Sequence, residues 1–398
     1  MTASARAKRP VRVAVNLLWL VPGVVGGTEG YATALLREVA RRGEIDCVLA
    51  VLPEFAAAHP DLAASLRTVV APLPPGRRVI RRVALEPTWL AWQLRRWRPD
   101  VVHHLGGTAL AATAARTVLT IHDLQYQHFP QYFPAAKKAY LRAATRTSVR
   151  RADHLVTISD FSRHDLGRRL GVEPARITVV PPWLPPAAAL DAPPPLELPE
   201  LPALPERYLL YPAATYPHKN HAVLLEALAR LGRRAGDLHL VLTGAGGAGT
   251  WGSAASSHAD LRGAVQRLGL TGRVHELAWL PRRGYLQVLQ RATALAFPSR
   301  FEGYGLPVAE AMAAGVPVLC SDAASLPEVV GRGVDAGGVL LPPDDATAWA
   351  AAIEALGDPA HRHQLRQRAV QRDAVLRRRD PVEVLTRLWC DAATLSAA

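Results

Sequence analysis

Short apolar runs alternating with glycine-bearing turns and helical segments, repeated in two blocks, leave this chain few ways to fold. In the first block such runs stand at residues 11–18 (VRVAVNLL), 46–52, 100–105, 116–123, 154–159 and 176–182, and segments of helical spacing separate most of them. In the second they stand at 207–213, 238–244, 273–279, 292–298 and 316–321. Uniformly apolar strands that alternate with helices predict parallel sheets covered on both faces. Between the blocks, residues 181–205 read PPWLPPAAALDAPPPLELPELPALP, a stiff stretch poor in secondary structure. The expected class is therefore α/β, with two doubly wound, Rossmann-like domains and a ligand cleft between them at the carboxyl ends of strands. We place the first domain at 1–183, a proline-rich linker at 184–205 and the second domain at 206–375. A C-terminal helical segment at 376–398 is expected to cross back to the first domain.

Composition sets the wider limits. A chain of 398 residues is too long for one ordinary core, and 49% hydrophobic with 20% charged residues suits a globular protein rather than a disordered one. Its net charge of +13 favours anionic partners such as nucleotides, phosphates, acidic lipid headgroups or nucleic acid. The three cysteines, Cys47, Cys320 and Cys390, are far apart and odd in number, so neither a disulfide framework nor a CxxC metal site is indicated. Together with the lack of an apolar run of the ~18 residues needed to span a bilayer, this gives a cytoplasmic expectation, extending to the inner face of the membrane. No metal or other cofactor is expected, because the chain holds no Asp-x-Asp to fix a divalent ion against a diphosphate.

The densest chemistry lies in PSRFEGYGLPVAEAMAAGVPV, residues 298–318. After a strand, Pro307 is placed to open a helix and Gly315 to close it. Glu302 then sits in the loop before the helix and Glu310 one turn inside it. Helical side chains lean toward the N-terminus, so both carboxylates can flank one helix start. Gly303 and Gly305 let the backbone approach a ligand, and the first amides make a partial positive pole suited to phosphate. Carboxylates on either side can accept hydrogen bonds from sugar hydroxyls. The pattern suits a nucleotide sugar. A plainer alternative makes Glu310 a helix-dipole residue and Glu302 a solvated loop residue.

The stretch FPSRFEGYGLPVAEAMAAGVPVLCSD resembles, without a gap, family 4 of the retaining glycosyltransferases, which have the two-domain GT-B fold. The resemblance extends to GGTEGYATALLREVA, VLTIHDL, ADHLVTISDFSRHDL, YPAATYPHKNHAVLLEAL and GRVHELAWLPRRGYLQVLQRATALAFPS. IHDLQYQHFPQYF and YPHKNH look most like the branch containing bacterial polysaccharide mannosyltransferases. It implies that Glu302 holds hydroxyls of the donor sugar and Glu310 the ribose, with the backbone of Gly303, Tyr304, Gly305 and Leu306 facing sugar and diphosphate. By the same resemblance, Lys219 neutralises the departing diphosphate, Gly26 and Gly27 approach it from the other domain, and the base lies near Trp279 and Leu280. His122 would contact the transferred sugar, with Asp123 orienting its ring. On their own, Lys219 reads as a surface lysine beside the helix cap Asn220, and His122 as a strand-end cap. Most relatives carry an arginine five residues before the lysine, where this chain has Ala214; Arg300 is one candidate replacement.

The implied reaction moves a hexose, mannose favoured, to a hydroxyl of a glycan or lipid-linked acceptor with retention. Two other readings share the sequence. One is a nucleotide-sugar epimerase of the same shape; the other is a basic surface-binding protein with a degenerate nucleotide pocket. Nucleic acid is not an expected partner. GAGGAG at 244–249 matches G-x-G-x-x-G, yet no helix follows at once, so a dinucleotide site is not expected. RRVALEPTWLAWQLRRWRPD, at 81–100, interleaves tryptophan with arginine. It is compatible with peripheral membrane contact, or with an amphipathic helix using Trp for core and Arg for solvent.

Overall fold

The computed structural model describes residues 9–24, 26–73, 84–184, 203–244 and 253–394. The chain divides into two compact units, residues 1–183 with 380–398, and residues 184–379. Most of the proline-rich stretch and of GAGGAG lies outside the described residues.

In the first unit the described strands are β1 (Arg12–Asn16), β2 (Asp46–Val51), β3 (Arg67–Val70), β4 (Val101–His104), β5 (Arg116–Thr120), β6 (His154–Thr157) and β7 (Ile177–Val179). They form one sheet in the order β3-β2-β1-β4-β5-β6-β7, every pair parallel. The order reverses between β1 and β4, where Asn16 stands opposite His104. The second unit repeats the plan with β8 (Tyr208–Pro212), β9 (His239–Thr243), β10 (Val274–Leu277), β11 (Ala294–Phe297), β12 (Val318–Ser321) and β13 (Val339–Leu341). Its order is β10-β9-β8-β11-β12-β13, again all parallel, with the reversal between β8 and β11. Both units are Rossmann-like, and the central strands are buried along almost their whole length, as sheets covered on two faces require. The edge strands β3 and β13 were not anticipated from the sequence.

The segment at 81–100 divides its tryptophans. Leu85, Leu90, Ala91, Leu94 and Trp97 pack with Ala14 and Val102 in one core cluster, and Trp89 packs against it. Trp92 is 55% exposed, and Arg95, Arg96 and Arg98 also face solvent. The amphipathic-helix alternative therefore accounts for Trp97 and Trp89, but not for Trp92. No described helix is long and apolar enough to cross a membrane.

Helix Pro359–Leu376 belongs to the second unit, and helix Pro381–Thr394 packs in the first. Asp380 starts the latter. Its Oδ1 accepts the backbone N–H groups of Val382 and Glu383, at 2.9 and 3.2 Å, and its Oδ2 pairs with Arg42 at 2.6 Å. Further along, the fully buried Trp389 donates its indole N–H to Nδ1 of His103, 3.2 Å away.

Candidate functional site

The second unit brings Lys219 and Glu302 together. Glu302 follows β11, and Lys219 ends a 3-10 turn, Pro217–Lys219, that follows the neighbouring strand β8. These strands border the reversal of strand order, where doubly wound sheets open a crevice. Lys219 Nζ lies 2.6 Å from Glu302 Oε1, with the side chains only 19% and 14% exposed. Lys219 is thus an enclosed, paired cation rather than a surface lysine.

Its backbone is held from several sides. The Tyr211 hydroxyl donates to the Lys219 carbonyl, and the Arg300 amide donates to His218 O at 2.8 Å. Asn220 adopts a left-handed conformation at φ 57° and sends its amide to Pro343 O at 2.6 Å, so its side chain does not cap helix His221–Leu231. Arg300 is committed elsewhere: its guanidinium pairs with Asp344 at 2.6 Å and donates to Pro217 O at 3.1 Å. It braces the turn that carries Lys219.

Helix Leu306–Ala313 begins one residue before the expected Pro307, which occupies its second position, where the missing N–H costs nothing. Gly305 precedes it at φ 104°, and a Cβ there would lie 2.6 Å from Leu326 Cδ2. Only glycine fits this bend without strain. Ser325 Oγ lies 2.9 Å from the carbonyls of both Glu302 and Tyr304 and shares its single proton between them, fixing the loop over Gly303. Glu310 is 9% exposed and forms a second ion pair, with Arg282. Lys219 with Glu302, and Arg282 with Glu310, are therefore two separate pairs. Trp279 and Leu280 lie in the loop between β10 and helix Arg282–Arg291, and Trp279 is 69% exposed.

The first unit carries the remaining sequence-derived positions. Gly26 takes φ 57° immediately before helix Gly27–Arg42. His122 follows β5, walled by the rings of Tyr31 at 5.1 Å and Trp19 at 6.3 Å. Its Nε2 lies 3.1 Å from the Leu105 carbonyl, which can only accept, so the ring proton sits there and Nδ1 is an acceptor. Burial pushes its pKa down to about 4, so the ring is neutral at pH 7. Asp123 Oδ1 accepts the Gln125 amide at 2.9 Å, and the ring's hydrogen-bond partner is Leu105. Leu105, Ser325 and Arg282 were not read from the sequence. Only Arg282 gave a signal, a cation in the first turn of a helix, where the dipole disfavours it.

Two parallel Rossmann-like sheets, the second with a lysine, two carboxylates and a glycine-opened helix start near its switch point, define a two-unit, doubly wound α/β architecture. Residues 25–187 match the family described as Glycosyltransferase Family 4, and residues 199–372 the one described as Glycosyl transferases group 1. The chain belongs to glycosyltransferase family 4, has the GT-B fold and is a glycosyltransferase. It is 32% identical over 285 residues to the O-antigen chain mannosyltransferase B of Escherichia coli, across 70% of this chain and 71% of that one. In fold it is similar to sucrose-phosphate synthase from Thermosynechococcus elongatus, with TM-score 0.74 and 20% identity, over 98% of this chain and 100% of that one. It is also similar to HepE from Anabaena in complex with UDP and glucose, with TM-score 0.71 and 18% identity, over 98% and 100% of the two chains. Membership favours a transferase over the epimerase and the surface-binding readings.

Proposed function

We propose that the chain transfers a hexose, with mannose favoured, from a nucleoside diphosphate sugar to a hydroxyl of a glycan or lipid-linked acceptor, with retention at the anomeric carbon. The observation that carries this reading is the 2.6 Å pair of Lys219 and Glu302 at the switch point, beside a helix start opened by Gly305. The likeness to a mannosyltransferase supports the sugar, and the UDP and glucose bound by HepE support the donor class.

In this reading the C1–O bond to the diphosphate breaks while an acceptor oxygen bonds C1 on the same face, and the acceptor's proton passes to the departing phosphate oxygen. Charge grows on the leaving group, where Lys219 and the first amides of helix Leu306–Ala313 neutralise it without a metal. Glu302 accepts hydrogen bonds from the sugar and Glu310 from the ribose. Neutral His122 contacts the transferred sugar. Thermal shifts across a panel of nucleotide sugars identify the donor, because a ligand that binds only the folded state raises the melting temperature by an amount that grows with the logarithm of its concentration relative to its Kd. With that donor, Glu310→Gln raises the donor KM about tenfold or more, the worth of a charge-assisted hydrogen bond. Unchanged KM and kcat remove Glu310 from the site.

Peripheral contact with an anionic membrane fits a lipid-linked acceptor and is supported by Trp92, Arg95 and Arg96, exposed on one helix. Sedimentation with vesicles should rise with anionic lipid content and fall when Arg95, Arg96 and Arg98 are replaced together by Gln. Binding indifferent to both counts against membrane contact.

A further inference from the structure

The pairing of Arg282 with Glu310 is not explained by the fold alone. Arg282 is the first residue of helix Arg282–Arg291, where the partial positive charge of the free amides opposes a cation. It stays there against the dipole and reaches a carboxylate 28 positions on in the sequence. The partners are unequal: the Arg282 side chain is 49% exposed, and that of Glu310 only 11%. A half-exposed arginine gains little from an ion pair, whereas an enclosed carboxylate gains orientation and charge compensation. The Arg282 guanidinium lies 5.8 Å from the centroid of the Tyr285 ring, one turn along the same helix, which limits where it can swing.

Tyr285 supplies an independent pointer. Its hydroxyl is buried and interacts with the Glu310 carboxylate, but the two do not meet in full hydrogen-bond geometry. Burial and the Glu310 charge both raise its pKa well above the ordinary phenol value, so the proton stays on. A buried phenol donor left unpaired is costly. A ligand hydroxyl can satisfy it, accepting from Tyr285 and donating to Glu310.

We propose that Arg282 is a positioning residue: it fixes Glu310 through one carboxylate oxygen so that the carboxylate, with Tyr285 beside it, grips the vicinal hydroxyls of a ribose. The inference rests on the donor reading given above and deepens it. Arg282 acts through Glu310 and touches neither phosphate nor base. The contribution of Arg282 to affinity should then appear only when the ligand has those hydroxyls.

Calorimetric titrations with GDP and UDP, and with their 2′,3′-dideoxy counterparts, test this on the full chain. The wild type should prefer the ribose form of the nucleotide it binds by about tenfold or more. Arg282→Ala should remove most of that preference and change dideoxynucleotide affinity by less than about twofold, and Arg282→Lys should restore part of the preference. An equal loss on both forms makes Arg282 a direct phosphate or base contact and overturns the proposal. So does an undiminished ribose preference in Arg282→Ala. Failure of the wild type to bind any of the four, or the diphosphate of any donor in the thermal-shift panel, overturns the donor reading itself, a result distinct from either of these.

Discussion

Lys219→Met should lower kcat for sugar transfer by about 10²- to 10³-fold, the usual consequence of removing one preorganised group from the site of developing charge. Hydrogen bonds from Tyr211 and from the Arg300 amide and guanidinium hold the backbone carbonyls of residues 217–219, and the Asn220 side chain anchors to Pro343 O, so the Lys219 ammonium needs little reorganisation when the leaving group takes up charge. Ala214 stands where the family resemblance implies an arginine, and Arg300 is committed to Asp344, so the proposed site leans on Lys219 more than a two-cation site would. Methionine keeps the aliphatic stem beside the Phe297 ring, over which Lys219 Nζ sits at 6.0 Å. The substitution leaves Glu302 without its cation, which costs stability. Adding Glu302→Gln relieves that cost, so melting temperatures of the single and double variants separate folding from chemistry. A single variant that melts like the wild type and turns over within about threefold of it would falsify the assignment of Lys219.

Particular residues show how far the sequence could be read. Strands β1, β2, β4, β5 and β6 were legible because each is buried on both faces, and burial writes a continuous apolar run. β3, with the sequence RTVV, has its two end residues exposed and its middle two only partly covered. β13 is only three residues long, with two of them partly covered. An edge strand has one neighbour, needs less apolar surface and leaves a weaker trace. Glu302 and Glu310 were legible because glycine and proline fix the helix start between them, and that punctuation is local. Arg282 was not, since its meaning lies in a carboxylate on a different helix. The same holds for the Leu105 carbonyl that receives the His122 proton. Backbone acceptors leave no mark in a sequence. Lys219 shows the opposite limit: its residue type fits solvent or site equally, and its enclosure beside Glu302 becomes visible only in the fold.

Trp389→Ala should destabilise the first unit by about 3–5 kcal/mol, the range for emptying a fully buried aromatic position. By calorimetry its transition should move down by roughly 10 °C. Volume is only part of the loss. The Trp389 indole N–H can only donate, so Nδ1 of His103 must accept, and Nε2–H is left to donate to Thr120 Oγ1 at 2.8 Å. The neutral tautomer of His103 is thereby fixed by two partners. Burial first, then the neighbouring His104 and His122, pushes its pKa down to about 3. The unfolded chain has the ordinary histidine value near 6.5. Stability from keeping His103 neutral is therefore complete above pH 6.5 and is lost progressively as the pH falls toward 3, because the unfolded state binds a proton that the folded state refuses. Trp389→Phe separates the two effects. It keeps a large apolar ring but removes the N–H that opposes a proton on Nδ1, so His103 should protonate more easily in the folded state. At pH 7.5 this variant should be about 1–3 kcal/mol less stable than the wild type, the cost of a buried acceptor left unpaired. By pH 5 the gap should narrow, since the wild type loses more stability to acid than the variant does. Stability curves that run parallel between the two pH values would mean that the indole contributes packing alone and does not set the protonation state of His103.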